Sequence, residues 1–151
     1  MRIVLQIVKS AHVELNGENI SEIGKGFVLL VGFTPTDNEE IVRKMAEKVA
    51  KLRIFPDENG KTNLSLSSFN GEVLSVSQFT VYASAKNGNR PDFISCMNKD
   101  EAAKLYQCFL DDLRPLVPNL KSNVFHTDCQ IHLINDGPFT LILDSKELFG
   151  L

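Results

Sequence analysis

Two short polar segments combine residue types suited to holding a ligand. In Ser75-Val76-Ser77-Gln78-Phe79-Thr80, three small or medium polar residues, Ser77, Gln78 and Thr80, interrupt a strongly β-forming stretch. Where a strand ends, free main-chain N–H groups and short side chains can be presented to a ligand. An edge strand with Ser and Thr facing water would read the same way. The second segment is Asn135-Asp136-Gly137-Pro138-Phe139-Thr140. It reads as a turn joining two strands. Pro138 removes one backbone donor and Gly137 permits conformations closed to other residues, so the pair exposes two carbonyl acceptors on a stiff backbone. Such acceptors suit an amine.

Other chemistries find less support. His12, His126 and His132 lack the i, i+4 spacing of a helical zinc pair, and none stands at ligand spacing from a carboxylate cluster, so no metal site and no cofactor is expected. The three cysteines, Cys96, Cys108 and Cys129, are odd in number and form no CxxC pair, which excludes a disulfide framework. Cys108 reads as a small core residue. There is no GxSxG elbow, no GxGxxG run and no Walker A loop. Glu39-Glu40 and Asp111-Asp112 are neighbours on helices, where adjacent side chains diverge, so they read as solvated surface.

The elements that must position the two segments follow from the hydrophobic pattern. Alternation from Ile3 to Leu15 predicts a long strand with one buried face. Asn16-Gly17 predicts a hairpin, with a return strand over about 20–33 bending at Gly24 or Gly26. A helix capped at Thr36 or Asp37 buries Val42, Met45, Ala46 and Val49 and ends near Leu52. A strand is predicted from Val73 to Tyr82, then an exposed loop from Ser84 to Arg90. Asn98, with Glu101 three residues on, caps a second helix whose stripe is Ala102, Leu105, Tyr106, Phe109 and Leu113, stopped at Pro115. Two further strands, Val124 to Ile134 and Phe139 to Asp144, complete an α+β order with two helices on one side.

With 151 residues, 43% of them hydrophobic, and no linker or repeat, residues 1–151 read as one domain. The formal net charge of −3 excludes a polybasic binder and leaves room for a local basic patch, for which Lys86 and Arg90 in the exposed loop are the best candidates. The apolar run Phe27 to Val31 is too short to cross a bilayer, and no signal-peptide pattern opens the chain, so no membrane partner and a cytoplasmic location are expected.

Taken together, Ser77-Gln78-Phe79-Thr80 and Asn135-Asp136-Gly137-Pro138-Phe139-Thr140 resemble the two signature motifs of the D-aminoacyl-tRNA deacylase family. Met1-Arg2-Ile3-Val4-Leu5-Gln6, Leu52-Arg53-Ile54-Phe55, Gly60-Lys61-Thr62-Asn63-Leu64-Ser65 and Lys86-Asn87-Gly88-Asn89-Arg90-Pro91-Asp92-Phe93 match family patterns in order. The resemblance implies hydrolysis of the ester joining a D-amino acid, or glycine, to the terminal adenosine of tRNA, so D-aminoacyl-tRNA and glycyl-tRNA are the implied partners. It also implies a compact sandwich of two sheet layers and one helical layer, built as a homodimer. In relatives the Gly-Pro peptide is cis and enters the partner's site, where its carbonyls exclude an L side chain. On that reading Ser77, Gln78, Phe79 and Thr80 act on the ester, with the Phe79 and Thr80 N–H groups as oxyanion donors. Asn135, Gly137, Pro138, Phe139, Thr140 and the pocket-wall residue Cys129 form the chirality filter. Ile7 stands where the family carries arginine beside that loop. Phe125-His126-Thr127-Asp128-Cys129 replaces the usual Phe-Gly-Ala-x-Met, and Phe139 replaces valine. These departures keep open a second reading, a tRNA or aminoacyl-ester binding module without turnover.

Overall fold

The computed structural model describes residues 1–150. Its organising element is β1 (Arg2–Leu15). Ile3, Leu5 and Ile7 are buried on one face, as alternation predicts. From Val8 to Ala11, however, three residues of β1 are matched by two on its neighbour. This bulge changes the phase, so Ala11 and Val13 join Val8 in a second apolar cluster. His12 and Glu14 are thereby turned toward the opposite, partly solvated side.

One edge of β1 pairs antiparallel with β2 (Glu18–Ile23) and then with β3 (Gly26–Gly32), a single return path broken near Gly24. Next in the chain come α1 (Glu39–Lys51) and a small two-stranded sheet, β4 (Phe55–Pro56) with β5 (Thr62–Leu64). The α1 cap is Asn38, whose side chain accepts from the Ile41 N–H, while Asp37 instead accepts from the Thr34 N–H. β6 (Glu72–Ser77) runs parallel to β3. Following α2 (Lys99–Leu113), β7 (Leu120–Ser122) extends the sheet parallel to β6. The Ser21 hydroxyl on β2 donates to the Ser122 carbonyl at 2.8 Å, so the curved mixed sheet is nearly closed. Asn98 caps α2 as the sequence predicts, its Oδ1 accepting from the Glu101 N–H at 3.0 Å, while its Nδ2 donates to the Glu101 carboxylate at 2.7 Å in place of the backbone bond of a full capping box.

β8 (Gln130–Asp144) lies on the other edge of β1, and α3 (Ser145–Phe149) follows it. Here the sequence reading is corrected three times. Residues 124–129 are not strand. The stretch from Asn135 to Pro138 is not a reversing turn: the chain before and after it pairs antiparallel with the same strand, so direction is kept. Three α-helices lie among the described residues rather than two, because five-residue α3 is too short to show a stripe.

The helices cover one face of the sheet. Val42, Met45 and Val49 of α1 and Phe109 and Leu113 of α2 pack with Ile3, Leu5, Phe27 and Leu29 in the main core. Truncating a buried leucine or methionine of this core to alanine costs about 2 to 5 kcal/mol, and a phenylalanine about 3 to 5 kcal/mol. No helix among the described residues is long and apolar enough to cross a membrane.

Candidate active site

β6 delivers Ser77 at its last position, beside Val31 of β3. The strand predicted to reach Tyr82 stops there, because Phe79–Tyr82 closes into a 3-10 turn. The Gln78 N–H still bonds the Val31 carbonyl at 2.7 Å, which ties the turn to the sheet. Gly32 allows this approach: a Cβ there would lie 2.1 Å from Val81 Cγ2 and 2.8 Å from the Gln78 carbonyl oxygen. Arg2 holds the far end of the turn. Its Nη1 donates to the Val81 carbonyl at 2.9 Å, its guanidinium sits 4.5 Å over the Tyr82 ring, and it pairs with Asp144 at 2.9 Å. Desolvation pushes the Asp144 carboxyl up, but hydrogen bonds from Arg2 and the Lys146 N–H, with the Arg2 charge, outweigh it and hold the group below its ordinary value.

A buried polar relay supports Ser77 from behind. Asn123 Oδ1 accepts from the Ser77 N–H at 3.1 Å and from the Tyr106 hydroxyl at 3.4 Å. Tyr106 also lies 3.0 Å from the Ser75 hydroxyl, and Ser75 is fully buried. Burial pushes the Tyr106 phenol far up, so it stays protonated and available as a donor. The sequence reading missed Ser75, Tyr106 and Asn123. A tyrosine within a buried helical stripe was the available signal, since its hydroxyl must find a partner.

Ser77, Gln78 and Phe79 line a cleft of about 650 Å³. Phe93, Cys96 and Met97 form a second wall, anchored by the Met97 N–H on the Phe33 carbonyl at 3.0 Å. Cys96 Sγ donates to the Phe79 carbonyl at 3.3 Å, and burial together with the Asp92 charge keeps that thiol protonated. The third wall is Phe125 to Cys129 with Ile131. His126 there has φ +57°, a left-handed conformation that glycine adopts freely. Thr80 is exposed and is not among the residues that line the cleft, and its hydroxyl accepts from Gln78 Nε2. The Phe79 and Thr80 N–H groups open the 3-10 turn, where no carbonyl within the turn can reach them.

The second motif does not reach this cleft within its own chain. From Asn135 to Thr140 five steps of β8 are matched by two of β1, so the surplus residues bulge from the edge of the sheet. Gly137 and Pro138 are exposed, and the peptide between them is cis. Asn135 organises the bulge: its Oδ1 accepts from the Phe139 N–H at 2.7 Å and its Nδ2 donates to Thr140 Oγ1 at 3.2 Å. Gln6 Nε2 adds a 3.4 Å contact to the same hydroxyl, while Ile7 is buried in the main core. Lys86 and Arg90 stand exposed on a loop closed by the Ser84–Asp92 bridge, and no ion pair engages them among the described residues.

One reading from linear spacing is corrected. His12 and His132 pair directly across β1 and β8, and Glu14 lies between their Nε2 atoms, so a carboxylate does stand beside them.

Comparison with known proteins gives concordant matches. The chain matches the family described as D-Tyr-tRNA(Tyr) deacylase over residues 4–144. It is 47% identical over 144 residues to a D-aminoacyl-tRNA deacylase of Lactobacillus helveticus, covering 95% of this chain and 99% of that one. With the Dictyoglomus turgidum protein of the same name it shares 44% over 148 residues, covering 98% and 95%. Among solved structures it resembles the c-Myc DNA Unwinding Element Binding Protein, with TM-score 0.90, 37% identity and 95% and 98% coverage. A probable eukaryotic D-amino acid tRNA deacylase shares the fold, with TM-score 0.83, 17% identity and 94% and 97% coverage. With a family match over nearly its whole length and close relatives of the same size, the chain belongs to the D-Tyr-tRNA(Tyr) deacylase family.

Proposed function

We propose that this protein hydrolyses the ester between a D-amino acid and the terminal adenosine of tRNA, in the cytoplasm, as a homodimer. The observation that carries the reading is the Ser77–Thr80 segment at the cleft: Asn123 and Gly32 fix its backbone, and two N–H groups are left without a partner in the turn. An aminoacyl ester is already activated, so positioning it and stabilising the developing oxyanion supply much of the rate. The Phe79 and Thr80 N–H groups are the donors for that oxyanion. Water is the nucleophile, because the partner of the Thr80 hydroxyl is an amide donor that takes no proton. The family name and the names of the relatives support this substrate class.

Stereochemistry is read by the partner subunit. The exposed Gly137-Pro138 bulge, pinned by Asn135, presents its carbonyls to the substrate amine in the neighbouring cleft, and an L side chain meets the bulge. Glycine has no side chain to exclude, so glycyl-tRNA passes the same filter. Lys86 and Arg90 contact the tRNA backbone.

The test is release of amino acid from matched D- and L-aminoacyl-tRNA and from glycyl-tRNA. Accelerated release from the D ester and the glycyl ester, with the L ester untouched, is the expected result. Binding of tRNA with ester lifetimes equal to those without protein would make the chain a binding module and overturn the proposal.

A further inference from the structure

A cluster outside the cleft has the composition and geometry of a metal site. His12 on β1 and His132 on β8 are directly opposed across the sheet, their rings parallel within 8° and 4.3 Å apart. Glu14, two residues along β1 on the same face, spans both: Oε1 is 3.4 Å from His12 Nε2 and Oε2 is 3.4 Å from His132 Nε2. All the candidate donor atoms lie within 4.8 Å of one another. Zinc bonds to imidazole nitrogen and carboxylate oxygen of about 2.0 to 2.2 Å place tetrahedral donors roughly 3.3 to 3.5 Å apart. Each Nε2 already stands at that length from one oxygen of the Glu14 carboxylate, His12 from Oε1 and His132 from Oε2, and rotating the partly exposed rings out of their stack turns both nitrogen lone pairs toward one ion.

We propose that His12, Glu14 and His132 form a binding site for a borderline divalent cation such as zinc, with solvent in the remaining coordination position. The donor set is two imidazole nitrogens and one carboxylate, which favours such ions over magnesium or calcium, whose sites are built from oxygen. All three side chains are partly exposed, at 29, 31 and 47%, so an ion reaches them without opening the fold. The strands also fix the donors in place. The β1 bulge between Val8 and Ala11 puts His12 and Glu14 on this face, and the register sets Gln130 opposite Glu14 and the exposed Glu22 of β2 opposite His12.

The site's consequence lies in the strand it grips. His132 follows Ile131, which lines the cleft wall. An ion bridging His132 to β1 fastens the start of β8, just after residues 125–129 join the sheet. The role is structural and independent of the hydrolytic chemistry.

Titration of the purified protein with zinc chloride, read by competition with a chromophoric chelator and by thermal unfolding, tests the assignment. One equivalent per chain and a raised unfolding temperature are expected, with affinity lowered at least tenfold in His132→Ala and in Glu14→Gln. Both variants are near the surface, and unchanged circular dichroism without metal shows that they fold. Absence of binding, or binding that survives both substitutions, overturns the proposal. Zinc lost on thiol alkylation but retained in His132→Ala would place it on the cysteines and overturn it equally.

Discussion

At the residue scale the site depends on the buried side chains that hold the Ser77–Thr80 backbone. Asn123 is the hinge of the relay, because its one carbonyl oxygen serves both the Ser77 N–H and the Tyr106 hydroxyl. Asn123→Ala leaves the Ser77 N–H unpaired, at a cost of about 1 to 3 kcal/mol where burial is retained, and leaves the Tyr106 hydroxyl with Ser75 alone. The variant is expected to be less stable in urea and to lose turnover, because the backbone carrying Phe79 and Thr80 loosens. Tyr106→Phe removes only a donor from Asn123 and a partner from Ser75, so stability falls by about 1 to 2 kcal/mol with most turnover retained. Urea unfolding with hydrolysis rates for both variants checks this order, and a Tyr106→Phe variant as inactive as Asn123→Ala would contradict it. These residues were hard to read from the sequence. Asn123 sits in an irregular stretch whose polar character reads as surface, and only the approach of α2 to β6 turns it into a buried acceptor.

At the element scale, the parts that declare themselves locally are the parts the sequence predicts. The stripe Val42, Met45, Ala46 and Val49 and the Asn98–Glu101 cap mark their helices because the information lies within a few turns of chain. The Gly137-Pro138 segment misleads because turn and bulge share one composition. Continuous pairing with β1, more than a hundred residues away, decides between them. The His12, Glu14 and His132 grouping is hidden for the same reason. The Arg2–Asp144 clamp on the 3-10 turn is likewise non-local, and it carries a pH dependence. Because the folded-state Asp144 carboxyl is held below its ordinary value, the clamp's contribution is complete above the unfolded carboxylate pKa and fades as pH falls through the lower folded value. Arg2→Ala is expected to be slightly less stable than the wild type at neutral pH, the pair being partly exposed. That gap should narrow below about pH 4, near the unperturbed aspartate value. Thermal midpoints of both proteins across this range provide the check, and a gap constant with pH would remove the clamp.

At the scale of the whole molecule, the proposed function requires an acidic protein to bind a polyanion through a local patch and to bring two distant motifs to one substrate. For the patch, Lys86→Ala with Arg90→Ala should weaken tRNA binding and reduce the log–log salt slope, each lost phosphate contact removing on the order of 0.7 to 0.9. An unchanged slope in filter-binding titrations would exclude this loop. For the two motifs, the proposed function has the cleft of one chain meet the bulge of another, since Gly137 and Pro138 lie outside the cleft of their own chain. Gln78→Ala damages the cleft. Gly137→Ala damages the bulge, because its φ of +145° is strained for any L side chain and a Cβ would lie 3.0 Å from the Phe139 nitrogen. Each variant alone should hydrolyse D-aminoacyl-tRNA poorly. Coexpressed in equal amounts, half of the dimers are mixed, and each mixed dimer holds one site with both parts intact. The account predicts that the mixture recovers about one quarter of wild-type specific activity; activity no greater than the average of the two single variants would contradict a site shared between subunits.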